Sequence, residues 1–400
     1  MIKIAVLGYG TVGSGVAEVI WTNQEIINKR VGEELEIKYI LDLREFPGTP
    51  AEHLIVHDFE QIVNDEEVKI VVEVMGGIEP AYTFVKKSLL AGKSVVTSNK
   101  ALVAKHGAEL LAIAKESNIN FLYEASVGGG IPIIRPLTTS LTGDVIEEIT
   151  GILNGTTNYM MSKMYHENAD YDAVLKEAQA MGYAERDPSA DVEGHDACRK
   201  IAILSSLMTG KYVKYEDIYT EGITKITSVD FKYAKAMNKS IKLLAMSKDE
   251  GDGYMAMVSP CMISQEHPLY CVSDVFNAVF VHGNMLGDSM FYGRGAGKLA
   301  TASAVVADVI DSARHLGKTV TCIWDEEVVS LKDYKDSAKK FFVRVKNEGA
   351  DKAASLFGYI EKIEVVDGEF GFVTEVMTER EFASKVEQLP EMITRIRVEN

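Results

Sequence analysis

Short apolar runs rich in β-branched residues alternate with longer amphipathic stretches over the first 130 residues. Residues 2–8 (IKIAVLG) read as a buried strand. Residues 10–29 (GTVGSGVAEVIWTNQEIINK) read as one helix entered through a glycine turn. Further strands are predicted at 36–42 (EIKYILD), 68–74 (VKIVVEV), 94–98 (SVVTS) and 119–125 (INFLYEA), with helical segments between them. Strands spaced by helix-length segments imply βαβ units and a parallel sheet.

The texture changes after SVGGGIPIIRPL. Residues 144–154, 239–249, 253–263 and 277–293 read as strands of a second, more mixed sheet. Residues 156–168, 171–182 and 194–208 read as helices beside it. Met160, Met161 and Met164 stand at helical spacing, as core residues do. The small-residue helix GAGKLATASAVVADVIDSARHLG is expected to return to the first domain. From about Phe341 the order is strand, helix, strand, strand, helix, strand, with KIEVVD (362–367) as the second strand, a ferredoxin-like pattern. The fold class is therefore α/β. It comprises a Rossmann dinucleotide-binding domain over 1–130 (completed by the helix at about 296–318), a mixed α+β substrate and dimerisation domain over 131–295, and a small ferredoxin-like segment over 335–400.

Composition narrows the function. Forty-two basic against fifty-nine acidic residues give a net charge of −17, which disfavours nucleic acid and anionic membranes as partners. No apolar run is long enough to span a bilayer. The start shows no export-signal pattern, and the four cysteines form no C-x-x-C pair. A cytoplasmic protein with reduced thiols is expected.

The segment GYGTVG fits G-x-G-x-x-G, directly after a strand and opening a helix. Gly8 permits the turn, Gly10 the approach of a pyrophosphate, and Gly13 the packing of helix on sheet. Tyr9, Thr11 and Val12 complete the loop, and a dinucleotide is the expected ligand. Asp42, ending the second strand, suits a ribose 2′-hydroxyl, while Arg44 suits a 2′-phosphate. The two pull against each other, with a slight lean toward NAD and NADP left open.

Hydride transfer at a carbonyl also needs a proton donor. Asp196 and Lys200 stand at i and i+4 on a helix and share one face. On spacing alone, a surface salt bridge is the commoner explanation. Five acidic residues crowd the stretch 182–200 (GYAERDPSADVEGHDACRK), yet no EF-hand spacing or second histidine marks a divalent-metal site.

Residues 178–200 (AQAMGYAERDPSADVEGHDACRK) resemble the signature of homoserine dehydrogenases. Further similar segments stand along the chain in family order: GYGTVGSGV, EVMGG, VVTSNKALVA, EASVGGGIPII, GILNGTTNYM and GAGKLATASAVVADV. The resemblance covers roughly 1–320. It implies NAD(P)-dependent interconversion of L-homoserine and L-aspartate 4-semialdehyde, with Lys200 as acid/base and Asp196 beside the substrate hydroxyl. It further implies Glu185, with Asp191 and Gly182 nearby, around the substrate ammonium, and Lys100 between cofactor and substrate. Gly76, Ser98 and Gly295 would line the cofactor side. Carbonyls of Glu124, Val127, Gly129 and Ile131 would hold a monovalent cation such as sodium. A homodimer is implied, with a tetramer left open.

The chain departs from the family pattern at Arg294, where many members have proline, and at Leu41, where many have arginine. The C-terminal segment resembles a shortened ACT domain without the usual Pro-Gly turn, which weakens the expectation of an amino-acid effector pocket. Competing functions are a catalytically silent NAD(P)-binding regulator and a dehydrogenase of another amino-acid semialdehyde.

Overall fold

The computed structural model describes residues 1–399. They fall into two units. The first comprises Met1–Val145, Ala202–Tyr215 and Phe291–Val329; the second comprises Ile146–Ile201, Glu216–Met290 and the chain from Ser330 onward.

The first unit is built on a six-stranded sheet: β1 (Ile2–Leu7), β2 (Leu35–Leu41), β3 (Ile55–Val56), β4 (Val68–Glu73), β5 (Ser94–Thr97) and β6 (Phe121–Leu122). Their order is β3-β2-β1-β4-β5-β6, and every pairing is parallel. The order reverses between β1 and β4, and the carboxyl ends of strands at such a reversal are where open α/β sheets bind ligands. Ile4, Val6, Ile70 and Val72 are buried, as strands covered on both faces require. The helix Lys298–Arg314 packs on the helix Thr11–Thr22, with Ala302, Val305 and Val309 in one core with Val16, Ala17 and Ile20. A Cβ on Gly15 would stand 2.8 Å from the Lys298 carbonyl oxygen, so small residues are what let these helices meet.

Two expectations are corrected here. The long helix after the glycine turn is two helices, Thr11–Thr22 and Gln24–Val31, broken at Asn23. Gln24 Nε2 donates to the Leu35 carbonyl and Leu35 N to Asn28 Oδ1, so polar side chains tie the second helix to the start of β2. The run 119–125 is a strand only at Phe121–Leu122. It turns at Glu124–Ser126, where the Glu124 carboxylate accepts the amides of Ile133, Ile134 and Arg135 at 2.6–2.8 Å.

The second unit carries a ten-stranded sheet. Its main path runs Gly287–Arg294, Phe276–Gly283, Ile146–Ile152, Lys239–Asp249, Tyr254–Ser264, Met392–Glu399, Ala338–Lys346, Glu369–Val373. The C-terminal strands thus extend this sheet: Met392–Glu399 pairs in parallel with Tyr254–Ser264, Cys261 opposite Arg397. Met160, Met161 and Met164 are buried on the helix Gly155–Glu167. The predicted strand at 362–367 is a single bridge, Ile363 to Gly371. Most of that run is exposed, and with no face to bury, its apolar residues do not hold a ladder.

Candidate active site

The glycine turn stands at the end of β1. Gly8 has φ +97°, and a Cβ on Gly13 would lie 1.9 Å from the Gly8 carbonyl oxygen, so neither position accepts a side chain. Asp42 Oδ2 accepts the Tyr9 amide at 2.8 Å, which ties the turn to the end of β2. Arg44 lies against the same carboxylate through Nε and Nη2, both at 3.0 Å. This guanidinium, with the Tyr9 and Arg44 amides, holds the Asp42 carboxyl well below the usual carboxylate range. His57 Nδ1 meets the Asp42 carbonyl at 2.7 Å and its Nε2 meets Glu45 at 2.8 Å.

At the ends of β4 and β5 the organising group is Glu73, which sequence reasoning missed. It is fully buried, and burial pushes its carboxyl above the ordinary value. Oε1 accepts the Met75 amide at 2.8 Å and Oε2 the Thr97 hydroxyl at 2.6 Å. Thr97 Oγ1 accepts the Asn99 amide, and Asn99 Nδ2 donates to the Gly77 carbonyl. Gly76 and Gly77 take φ of +84° and +74°. Asn99 also caps the helix Lys100–Glu116 by accepting from the Leu102 amide. The chain Glu73–Thr97–Asn99 thereby joins the loop of Gly76 to the loop of Ser98 and Lys100. The sequence signals were an acidic residue ending an apolar strand and its place at the head of EVMGG, neither of which gave Glu73 a role or told it from a surface position.

In the second unit, Asp196 and Lys200 open the helix His195–Thr209. Their side chains meet at 2.8 Å, with relative exposures of only 5% and 10%. This is not the surface salt bridge that spacing favoured. Lys200 Nζ also donates to the Leu153 carbonyl at 2.7 Å. Asn154 Nδ2 bridges two carboxylates, Asp191 Oδ1 at 2.7 Å and Asp196 Oδ2 at 2.9 Å, while Asn154 Oδ1 caps the helix Gly155–Glu167 through the Thr157 amide. Three of the candidate residues, Asp191, Asp196 and Lys200, are thus brought together by a fourth that was quoted but given no role. Glu185 lies on an exposed stretch, its carbonyl accepting from Gln179 Nε2 at 3.0 Å, and Gly182 turns with φ +75°. Cys198 is buried, which raises its thiol pKa and makes a nucleophile of it less available.

The loop holding Glu124, Val127, Gly129 and Ile131 is braced from two sides. Glu124 N donates to Asp308 Oδ2 at 2.7 Å, and Gly130 N to the Arg294 carbonyl at 3.1 Å. A Cβ on Gly129 would stand 2.2 Å from the Gly295 carbonyl oxygen, so the two glycine loops meet backbone to backbone. Among the described residues, no three of His, Cys, Asp and Glu are grouped as metal ligands.

The homoserine dehydrogenase family model matches residues 132–310, and the model of the homoserine dehydrogenase NAD binding domain matches residues 8–124. Homoserine dehydrogenase of Synechocystis is 46% identical over 318 residues, 78% of this chain and 73% of its own length. The chain belongs to the homoserine dehydrogenase family. It is an NAD(P)-dependent oxidoreductase of amino-acid biosynthesis acting on homoserine. The homoserine dehydrogenase of Lactococcus lactis is 40% identical over 368 residues, 90% of this chain and 86% of its own. The solved homoserine dehydrogenase of Thiobacillus denitrificans superposes with a TM-score of 0.89 at 35% identity, over 100% of this chain and 98% of that one. A hyperthermophilic archaeal homoserine dehydrogenase in complex with NADPH superposes at 0.66 and 29% identity, over 78% of this chain and 97% of its own. Among the described residues, no helix is long and apolar enough to cross a membrane.

Proposed function

We propose that Lys200 is the acid/base of the homoserine reaction and that Asp196 and Asp191 receive the substrate beside it. A nicotinamide held at the cofactor turn would supply the hydride to the aldehyde carbon of aspartate semialdehyde, or take it from homoserine. Lys200 Nζ then gives a proton to the alkoxide oxygen, or in reverse accepts the hydroxyl proton. Asp196 fixes the ammonium of Lys200, and Asn154 fixes both aspartates. Asp191, half-buried, and Glu185, on its exposed stretch, suit the ammonium group of a zwitterionic substrate by opposite charge. The observation that carries this reading is the buried Lys200–Asp196 pair in one network with Asn154 and Asp191.

On the cofactor side, Gly8, Gly10 and Gly13, with Tyr9, Thr11 and Val12, form the phosphate turn, and the helix N-terminus contributes its dipole. Gly76, Ser98 and Lys100 line the nicotinamide end, and Gly295 lies on the cofactor side, its carbonyl close against Gly129. NAD and NADP both fit: Asp42 accepts a ribose hydroxyl, and Arg44 is exposed enough to turn to a 2′-phosphate. The carbonyls of the loop 124–131 suit a monovalent cation with a structural role, because the Glu124 carboxylate is already occupied by three backbone amides.

The enzyme works as a homodimer. Support comes from the edge strand Gly287–Arg294 and its hairpin turn, which expose Met285, Leu286, Met290 and Tyr292. Sedimentation should give twice the chain mass; a monomer at micromolar concentration would reject this.

Lys200→Ala decides the mechanism. Turnover of homoserine, followed by formation of reduced nicotinamide, should fall by about a hundred- to ten-thousandfold while cofactor affinity holds. Near-normal turnover would reject Lys200 as the acid/base. Cofactor binding without any turnover in the unmodified protein would favour a silent regulator.

A further inference from the structure

The C-terminal strand Met392–Glu399 carries two arginines toward one carboxylate. Arg395 Nη1 reaches Glu221 Oε2 at 2.9 Å and Arg397 Nη1 reaches the same oxygen at 2.6 Å. Arg397 has no exposed surface, and its Nε is paired with Glu379 on the C-terminal helix Glu379–Val386. Both guanidiniums draw the Glu221 carboxyl below its ordinary value despite its burial. Glu221 is itself only half-buried, but it is a partner of the fully buried Arg397, and removing one partner of a buried charge is strongly destabilising.

What Glu221 fixes is the next residue. A Cβ on Gly222 would stand 2.0 Å from the Val192 carbonyl oxygen and 2.4 Å from Glu193 Cα. Ile223 N donates to that same Val192 carbonyl at 2.8 Å, and Glu221 N to the Val258 carbonyl at 2.8 Å. The backbone at 221–223 is therefore pressed against the residue that follows Asp191.

We propose that Glu221 is a positioning residue for homoserine: it couples the C-terminal strand, through Gly222, to the short helix Ser189–Val192 that carries Asp191. The inference rests on the reading of Asp191 as a partner of the substrate ammonium. It gives the C-terminal segment a part in substrate affinity.

The test is Glu221→Gln in the full-length enzyme. KM for homoserine should rise about tenfold, as sub-ångström displacement of a substrate ligand does, while KM for the cofactor stays the same. Gly222→Ala should give the same split. Unchanged KM for homoserine overturns the proposal. So does a parallel loss of kcat, of both KM values and of melting temperature, the mark of a merely structural role. If Glu221→Gln does not fold, Arg395→Lys is read by the same split. Asp191→Asn separates the two layers: if it leaves KM for homoserine unchanged, the assignment of Asp191 fails whatever Glu221→Gln does.

Discussion

The Arg44 guanidinium lies against the Asp42 carboxylate, with Nε and Nη2 each 3.0 Å from an oxygen. Sequence set these residues against each other, one for NAD and one for NADP. In the fold they are partners, and a ribose phosphate must compete with Asp42 for Arg44. Arg44→Ala is therefore expected to raise KM for NADP⁺ about tenfold and leave KM for NAD⁺ within about twofold, since charge-assisted pairs are the strong ones. Asp42 stays ionised far below neutrality, so its own titration does not move this ratio near pH 7. Initial rates with each cofactor check both statements.

Asn154→Ser separates the two duties of Asn154. A serine can still cap the helix Gly155–Glu167, but it is too short to bridge Asp191 and Asp196. Thermal stability should change little, while kcat/KM for homoserine falls about ten- to hundredfold. Equal losses in both would mean that the bridge serves the fold alone.

Lys242 offers a stability prediction with a defined sign. It is buried in the strand Lys239–Asp249, its Nζ donates to the Val272 carbonyl, and burial pulls its pKa from 10.5 down to about 8. A lysine lowered on folding contributes stability above its unfolded pKa, and that contribution is lost as pH falls through the folded one. At neutral pH the group thus costs stability. Lys242→Met should be more stable than the parent by about 1–2 kcal/mol near pH 7, with the gain fading toward pH 10. Urea unfolding at the two pH values measures it.

Gly13→Ala tests the phosphate turn. Its Cβ would strike the Gly8 carbonyl at 1.9 Å, and backbone cannot yield as a side-chain tip does. Cofactor affinity should fall by about a hundredfold or more, because the turn must open to accept the methyl group. Titration by nicotinamide fluorescence reads it directly, and unaltered affinity would place the dinucleotide elsewhere.

The parallel sheet was legible because period, glycine spacing and β-branched runs are local properties. The strand at 362–367 was misread for the same reason: its residues favour extended backbone, but nothing in the fold covers them. Asp196 and Lys200 were found by helical spacing, yet spacing could not tell a surface pair from a buried one. Glu73, Asn154 and Glu221 were given no role because each acts through partners remote in the chain or through backbone groups, which leave no mark on residue type.

The sequence by itself determined the dinucleotide turn, the alternation of strands and helices, and the aspartate–lysine pair one helical turn apart. These follow from sterics at glycine and from the periods of helix and strand. Only the tertiary structure decided that Asp42 and Arg44 pair, that Lys200 is buried against Leu153, and that the C-terminal arginines reach Glu221. Those outcomes depend on which groups lose water together, and desolvation is a property of the packed chain rather than of any stretch of it.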